Sequence, residues 1–142
     1  MKQLSKLASL MAMVIMLALA SCANKEATEA IDQYVAQNST PEAIQMVKAS
    51  GFSDFSCERN GYDIINIVTF PDGMDLSSFT QTMFDDMKPQ LIAPILDDYN
   101  KNEVAKKAID AMNENDGNII YTYRDNNGTS FTVTIPAKEI VE

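Results

Sequence analysis

Two cysteines, Cys22 and Cys57, and no histidine bound the chemistry open to this chain of 142 residues. Without an imidazole there is neither a Ser-His-Asp nor a Cys-His nucleophile pair, and the commonest zinc ligand is missing. The acidic pairs Asp85-Asp86 and Asp97-Asp98 fall in a stretch of helical period. Adjacent helix positions diverge by about 100°, so neither pair turns both carboxylates to one substrate. They read as solvated. The oxygen-rich loops Asn113-Glu114-Asn115-Asp116-Gly117 and Asp125-Asn126-Asn127-Gly128-Thr129 lack the glycine and distal glutamate placement of an EF-hand. Turn chemistry accounts for both, so no catalytic residue, cofactor or metal ligand is assigned and the chain is not expected to be an enzyme.

Cys22 is the exception, because of what precedes it. Lys2 and Lys6 make a positive start, and Leu7 to Ala20 is an apolar run shorter than the roughly 20 residues of a membrane span. Leu19-Ala20-Ser21-Cys22 closes that run and resembles the lipobox of bacterial lipoprotein precursors. The resemblance implies that a diacylglycerol is attached to the Cys22 thiol, that cleavage falls just before it, and that the new amine is usually acylated. One fatty chain holds a protein marginally, whereas two or more hold it stably. The competing reading is an ordinary secretory signal cut after Ala18, Ala20 or Ala23.

Residues 1–21 are therefore expected to be a signal peptide, 22–38 a tether with a short helix, and 39–142 one domain. Loss of Lys2 and Lys6 leaves nine basic against 20 acidic side chains, a formal charge of −11 on a mature chain of 121 residues. Such a surface repels polyanions and carries no clustered Lys and Arg, which excludes nucleic acid as a partner. With Cys22 acylated, Cys57 has no partner in the chain, so stability must come from packing. Alternation along Phe55-Ser56-Cys57 puts the thiol beside Phe55, where a buried cysteine acts as a small hydrophobe.

The elements follow from period and punctuation. Ile31, Tyr34 and Val35 give a short amphipathic helix, and Ser39-Thr40-Pro41-Glu42 reads as a capping box opening a second helix that stops at Gly51. Asn60-Gly61 sits between two strand-like runs and predicts a hairpin with a type I′ turn, whose second strand, with apolar residues on both faces, should be central and well covered. From Leu76 through Phe79, Met83, Met87, Leu91, Ile95 and Tyr99 the period is helical, with breaks expected near Lys88 and before Pro94. Another helix runs from Asn102 to Asn115-Asp116-Gly117, and a second hairpin turns at Asp125-Asn126-Asn127-Gly128. Aligning Gly51 with Gly117 suggests a helix-hairpin internal repeat. The expected fold is α+β, a four-stranded antiparallel sheet from two hairpins with helices packed on one face.

In this order the chain resembles small lipoproteins of anaerobic bacteria, with their lipobox, amphipathic helices, acidic helical stretch and a terminal Tyr-x-Tyr-x-Asp-x-x-Gly strand pair, here Tyr121 to Gly128. The resemblance implies a location in the bacterial cell envelope, anchored by lipid in the outer membrane and facing the periplasm or the exterior. The function expected is a non-catalytic binding module that engages an envelope protein, peptide or glycan through a sheet face with exposed Tyr121 and Tyr123, a strand edge or its acidic helices. Oligomeric state has no signal. The alternatives are an envelope enzyme acting on glycan or peptidoglycan with acids from separate elements, and a carrier of hydrophobic ligands around Met83, Phe84, Met87 and Ile92.

Overall fold

The structure, a computed structural model, describes residues 24–142. Helix α1 (Lys25–Asn38) opens the described chain, with the Asn24 side chain accepting the Ala27 N–H as its cap. The stretch after Cys22 is thus helical almost at once. Its face Ala27, Ile31 and Tyr34 is buried. α2 (Pro41–Ala49) follows, capped by Thr40, whose hydroxyl accepts the Ala43 N–H at 3.2 Å. The expected cap, Ser39, instead closes α1 and donates to the Cys57 carbonyl.

Strands β1 (Asp54–Asn60) and β2 (Asp63–Thr69) form the first hairpin. The pair Asn60↔Asp63 leaves Gly61-Tyr62 as the two turn residues, one position later than expected. Gly61 has φ +63° while Tyr62 has no positive φ, the pattern of a type II′ turn with glycine in its first central position. After β2 come the short α3 (Gln81–Asp85), then α4 (Lys88–Lys101) and α5 (Glu103–Glu114). The break before Lys88 is where Pro89 demands a helix start. Pro94 produces no second break, because α4 runs through it. Strands β3 (Asn118–Arg124) and β4 (Ser130–Pro136) and the short α6 (Lys138–Val141) complete the chain.

The fold is α+β, with one four-stranded sheet in the order β1-β2-β3-β4. The sheet is mixed, which corrects the expectation of an antiparallel one. Both hairpins are antiparallel, but β2 and β3 meet in parallel, with Ile64 opposite Ile119 and Val68 opposite Tyr123. A parallel pair needs a crossover long enough to return the chain to its starting end. Residues 70–117, carrying α3, α4 and α5, supply it.

Burial alternates along β1, β2 and β4 and peaks at Ile119 and Tyr123 of β3, so one side of the sheet is the core. Ile64 and Val68, Ile119 and Tyr123, and Val133 and Ile135 are buried there against Leu76, Phe84, Ile109 and Met112. Ser56, Glu58, Thr132 and Thr134 are exposed on the other side, with Ile65, Ile67 and Ile120 half-buried between them. β2 is central as expected, yet its second apolar face has only this partial cover. An aromatic chain knits the core: Phe84 stacks on Phe131 at 4.6 Å and lies 5.3 Å from Tyr123, which neighbours Phe70 at 6.3 Å.

Candidate functional site

Cys22, the one residue to which the sequence assigns a chemical role, lies outside the described residues. Its neighbourhood does not. α1 begins three residues after it, and an extended chain covers about 3.5 Å per residue, so an acylated Cys22 would hold the α1 end of the body within about 10 Å of the lipid.

Beside that end lies a groove of ≈530 Å³ between α1 and α5, which includes Glu26, Glu29, Asp110 and Glu114 among its walls and Ala27, Ala30 and Ala111 on its small-residue side. The alanines arise from helical period on two elements, and their size lets the helices approach closely. α1 and α5 run in opposite directions, since Gln37 near the end of α1 accepts from Asn102 at the start of α5. The carboxylates are partly spoken for. Asp110 accepts from the Tyr99 hydroxyl at 2.7 Å and from Lys106 at 3.1 Å, and Glu29 pairs with Lys25 at 3.6 Å. The groove also contains Lys107. What it offers is a mixed, solvated surface in which Asp110 and Glu29 are already paired.

Of the two acidic pairs singled out by sequence, Asp85 and Asp86 are both exposed, whereas Asp97 and Asp98 separate as helix geometry requires and Asp98 is not simply solvated. Asp97 pairs with Lys101 at 2.6 Å on the surface of α4. Asp98 accepts the Tyr34 hydroxyl at 2.7 Å and the Asn102 side-chain amide at 3.2 Å, tying α4 to α1 and to the start of α5. Burial and the Asp98 carboxylate together drive the Tyr34 phenol well above its ordinary value, since both disfavour a phenolate there. The loop read as turn chemistry is more than a turn. The Asp125 carboxylate accepts the backbone N–H groups of Leu76, Asn127 and Thr129, each at 2.9 Å, and these donors hold it below the usual carboxylate range. No spacing rule would have found Leu76 as a partner, because the contact crosses 49 residues.

Cys57 is half-buried beside Phe55 on the inner side of β1, and desolvation pushes its thiol up to about 11. A thiol held neutral in this way is a weak nucleophile. Tyr121 and Tyr123 correct the expectation of exposed sheet aromatics: both point into the core side, Tyr123 is buried, and burial raises both phenols. They serve packing. At the place proposed for a hydrophobic-ligand pocket, Phe84 fills the space against Phe131, and Met87 and Ile92 pack on the core. Among the described residues no group of three or more Cys, Asp or Glu is arranged to hold a metal ion, and no helix is long and apolar enough to cross a membrane. The exposed large apolar side chains include Met46, Met74, Phe79 and Met83. No family model, no curated protein and no solved structure matches the chain.

Proposed function

We propose that this protein is a lipid-anchored, non-catalytic binding module of the bacterial cell envelope, tethered through Cys22, with an envelope protein, peptide or glycan as its partner and nucleic acid excluded by charge. The observation that carries the proposal is the motif Leu19-Ala20-Ser21-Cys22 at the end of a short apolar run. Phe79 and Met83 are exposed beside buried Phe84 and are the contact side chains this reading selects, since methionine and aromatic surfaces adapt to a partner's shape. The same reading takes the two hairpins as halves of a helix-hairpin repeat. Its support is their order, each entered from a helix through a glycine, Gly51 and Gly117.

Metabolic labelling with a fatty acid tests the anchor. Label on the wild-type chain and none on Cys22→Ser is expected, and an unlabelled wild type ends the proposal. Crosslinking from position 82, exposed between these side chains, in intact envelopes tests the binding surface, with one reproducible adduct expected and lost in the Phe79→Ser/Met83→Ser chain.

The groove between α1 and α5 is the observation that favours a second reading, an envelope glycan hydrolase with acids from separate elements, because it gathers Glu26, Glu29, Asp110 and Glu114. Peptidoglycan hydrolysis by the purified chain, abolished in Glu26→Gln or Glu114→Gln, would establish it in place of the first.

A further inference from the structure

Most of the inner side of the sheet is apolar; Arg59 on β1 also faces it and pairs with Asp32 of α1, and one row across the middle of the sheet is polar. Cys57 on β1 is opposite Asn66 on β2, and Asn66 is opposite Tyr121 on β3, so three polar side chains stand at one level across adjacent strands. Asn66 is 6% exposed, in the middle of a central strand. Its two neighbours on the same side of β2 are Ile64 and Val68, both buried. An asparagine amide placed there without hydrogen bonds costs about 1–3 kcal/mol, so its partners must be found. Among the described residues the Asn66 side chain has no hydrogen-bonded protein group, and neither has the Tyr121 hydroxyl. Yet no fully enclosed side-chain N or O in the described residues lacks a partner. Both statements hold together because Asn66 and Tyr121 line a crevice of ≈30 Å³, where α1, α4 and the sheet meet, and Cys57 and Tyr34 line it with them. The Tyr121 phenol is close enough to Cys57 and to Tyr34 to feel both electrostatically.

Size and polarity select the occupant. A cavity needs roughly 10–15 Å³ to take a water molecule and two to four polar partners to hold it. This crevice meets both conditions and is too small for an organic ligand. We propose that it holds one ordered water, bound by the Asn66 amide, the Tyr121 hydroxyl and the Cys57 thiol, as a resident part of the fold. The Tyr34 hydroxyl is excluded as a donor because it already donates to Asp98 at 2.7 Å.

The water gives Asn66 a purpose in the register of the sheet. β2 carries isoleucine on both faces, at 64, 65 and 67, so apolar burial alone distinguishes its alternative registers poorly. Slipping the parallel β2-β3 pairing by two residues would set Asn66 opposite Ile119 or Tyr123 and away from the Tyr121 hydroxyl, leaving an amide buried without the water. The hydrated row therefore favours the observed pairing over its neighbours.

A crystal structure of the mature chain, solubilised in detergent and diffracting well enough to show ordered water, tests the site. One density peak within hydrogen-bonding distance of both the Asn66 side-chain amide and Tyr121 Oη is expected. The same peak should vanish in Asn66→Leu, whose side chain keeps the shape and removes the polarity. If Asn66→Leu fails to fold, Tyr121→Phe carries the test: it retains the ring, and the peak should weaken or disappear. An Asn66 amide bonded directly to a protein group, or a wild-type crevice without density, would overturn the assignment, as would an undiminished peak in Tyr121→Phe.

Discussion

Three residues decide more than their size suggests. At Gly117 the constraint is space, not backbone freedom: a Cβ there would lie 2.2 Å from the Tyr62 carbonyl oxygen, so the α5-β3 connection can pass under the first hairpin only as glycine. Gly117→Ala is expected to destabilise by about 1–3 kcal/mol, as overpacking does, measured by urea unfolding. Gly51→Ala meets no neighbouring atom but is strained at φ +107°, so its cost comes from the backbone instead. Asp125 acts by charge. Three backbone N–H groups favour its ionised form and lower its pKa, so its stabilisation is present above the ordinary value of 3.8 and is lost as pH falls through the lower folded value. Asp125→Asn should flatten the acid limb of a melting-temperature profile below about pH 4, and an unchanged limb would count against this role.

Between elements, the hydroxyl of Tyr34 is the clearest single tie, because one bond to Asp98 joins α1 to α4 while Asn102 binds both Asp98 and Gln37. A bond to a charged acceptor contributes about 1.5–3 kcal/mol when its loss leaves the charge unpaired. Asp98 keeps Asn102, so Tyr34→Phe is expected at the lower end, about 1–2 kcal/mol, with most of that loss absent when Asp98→Asn is already present in a double-mutant cycle. The sheet edges are treated alike. Ser39 donates to the outer carbonyl of Cys57 on β1 and Gln81 to that of Thr132 on β4, which occupies one acceptor on each free edge. Phe84 is the pivot of the crossover. It is buried and stacked on Phe131, so Phe84→Ala should cost about 3–5 kcal/mol in chemical denaturation, whereas the exposed Phe79→Ala should cost under about 1 kcal/mol.

For the molecule as a whole, the weak flank is alkaline. Burial raises the Cys57 thiol from 9.0 to about 11 and lifts the phenols of Tyr34, Tyr121 and Tyr123 above 10.0. Each group binds its proton more tightly when folded, so the stabilisation is complete below the unfolded values and drains away as pH rises past them. Melting temperature should therefore decline from about pH 9 upward, and Tyr121→Phe should show a shallower decline; a flat profile to pH 11 would contradict the buried placement of these groups.

Local patterns in the chain reached a definite depth. Alternation located all four strands and paired Phe55 with Cys57 on one side, and proline chemistry marked the start of α4, because each of these signals acts over a few residues. Wherever the outcome depended on a distant partner, those patterns stopped short. Pro94 sits inside α4 although a local rule expects a break, and Asp98 is partnered because Tyr34 arrives from 64 residues away. Tyr121 and Tyr123 alternate as any half-buried strand would, and only the helices laid over one side determine that they face inward. The parallel meeting of β2 and β3 belongs to the same class. Hairpin turns are written in two to five residues, but the direction in which two hairpins join is set by how residues 70–117 cross the sheet, a property of packing between elements that no single segment carries.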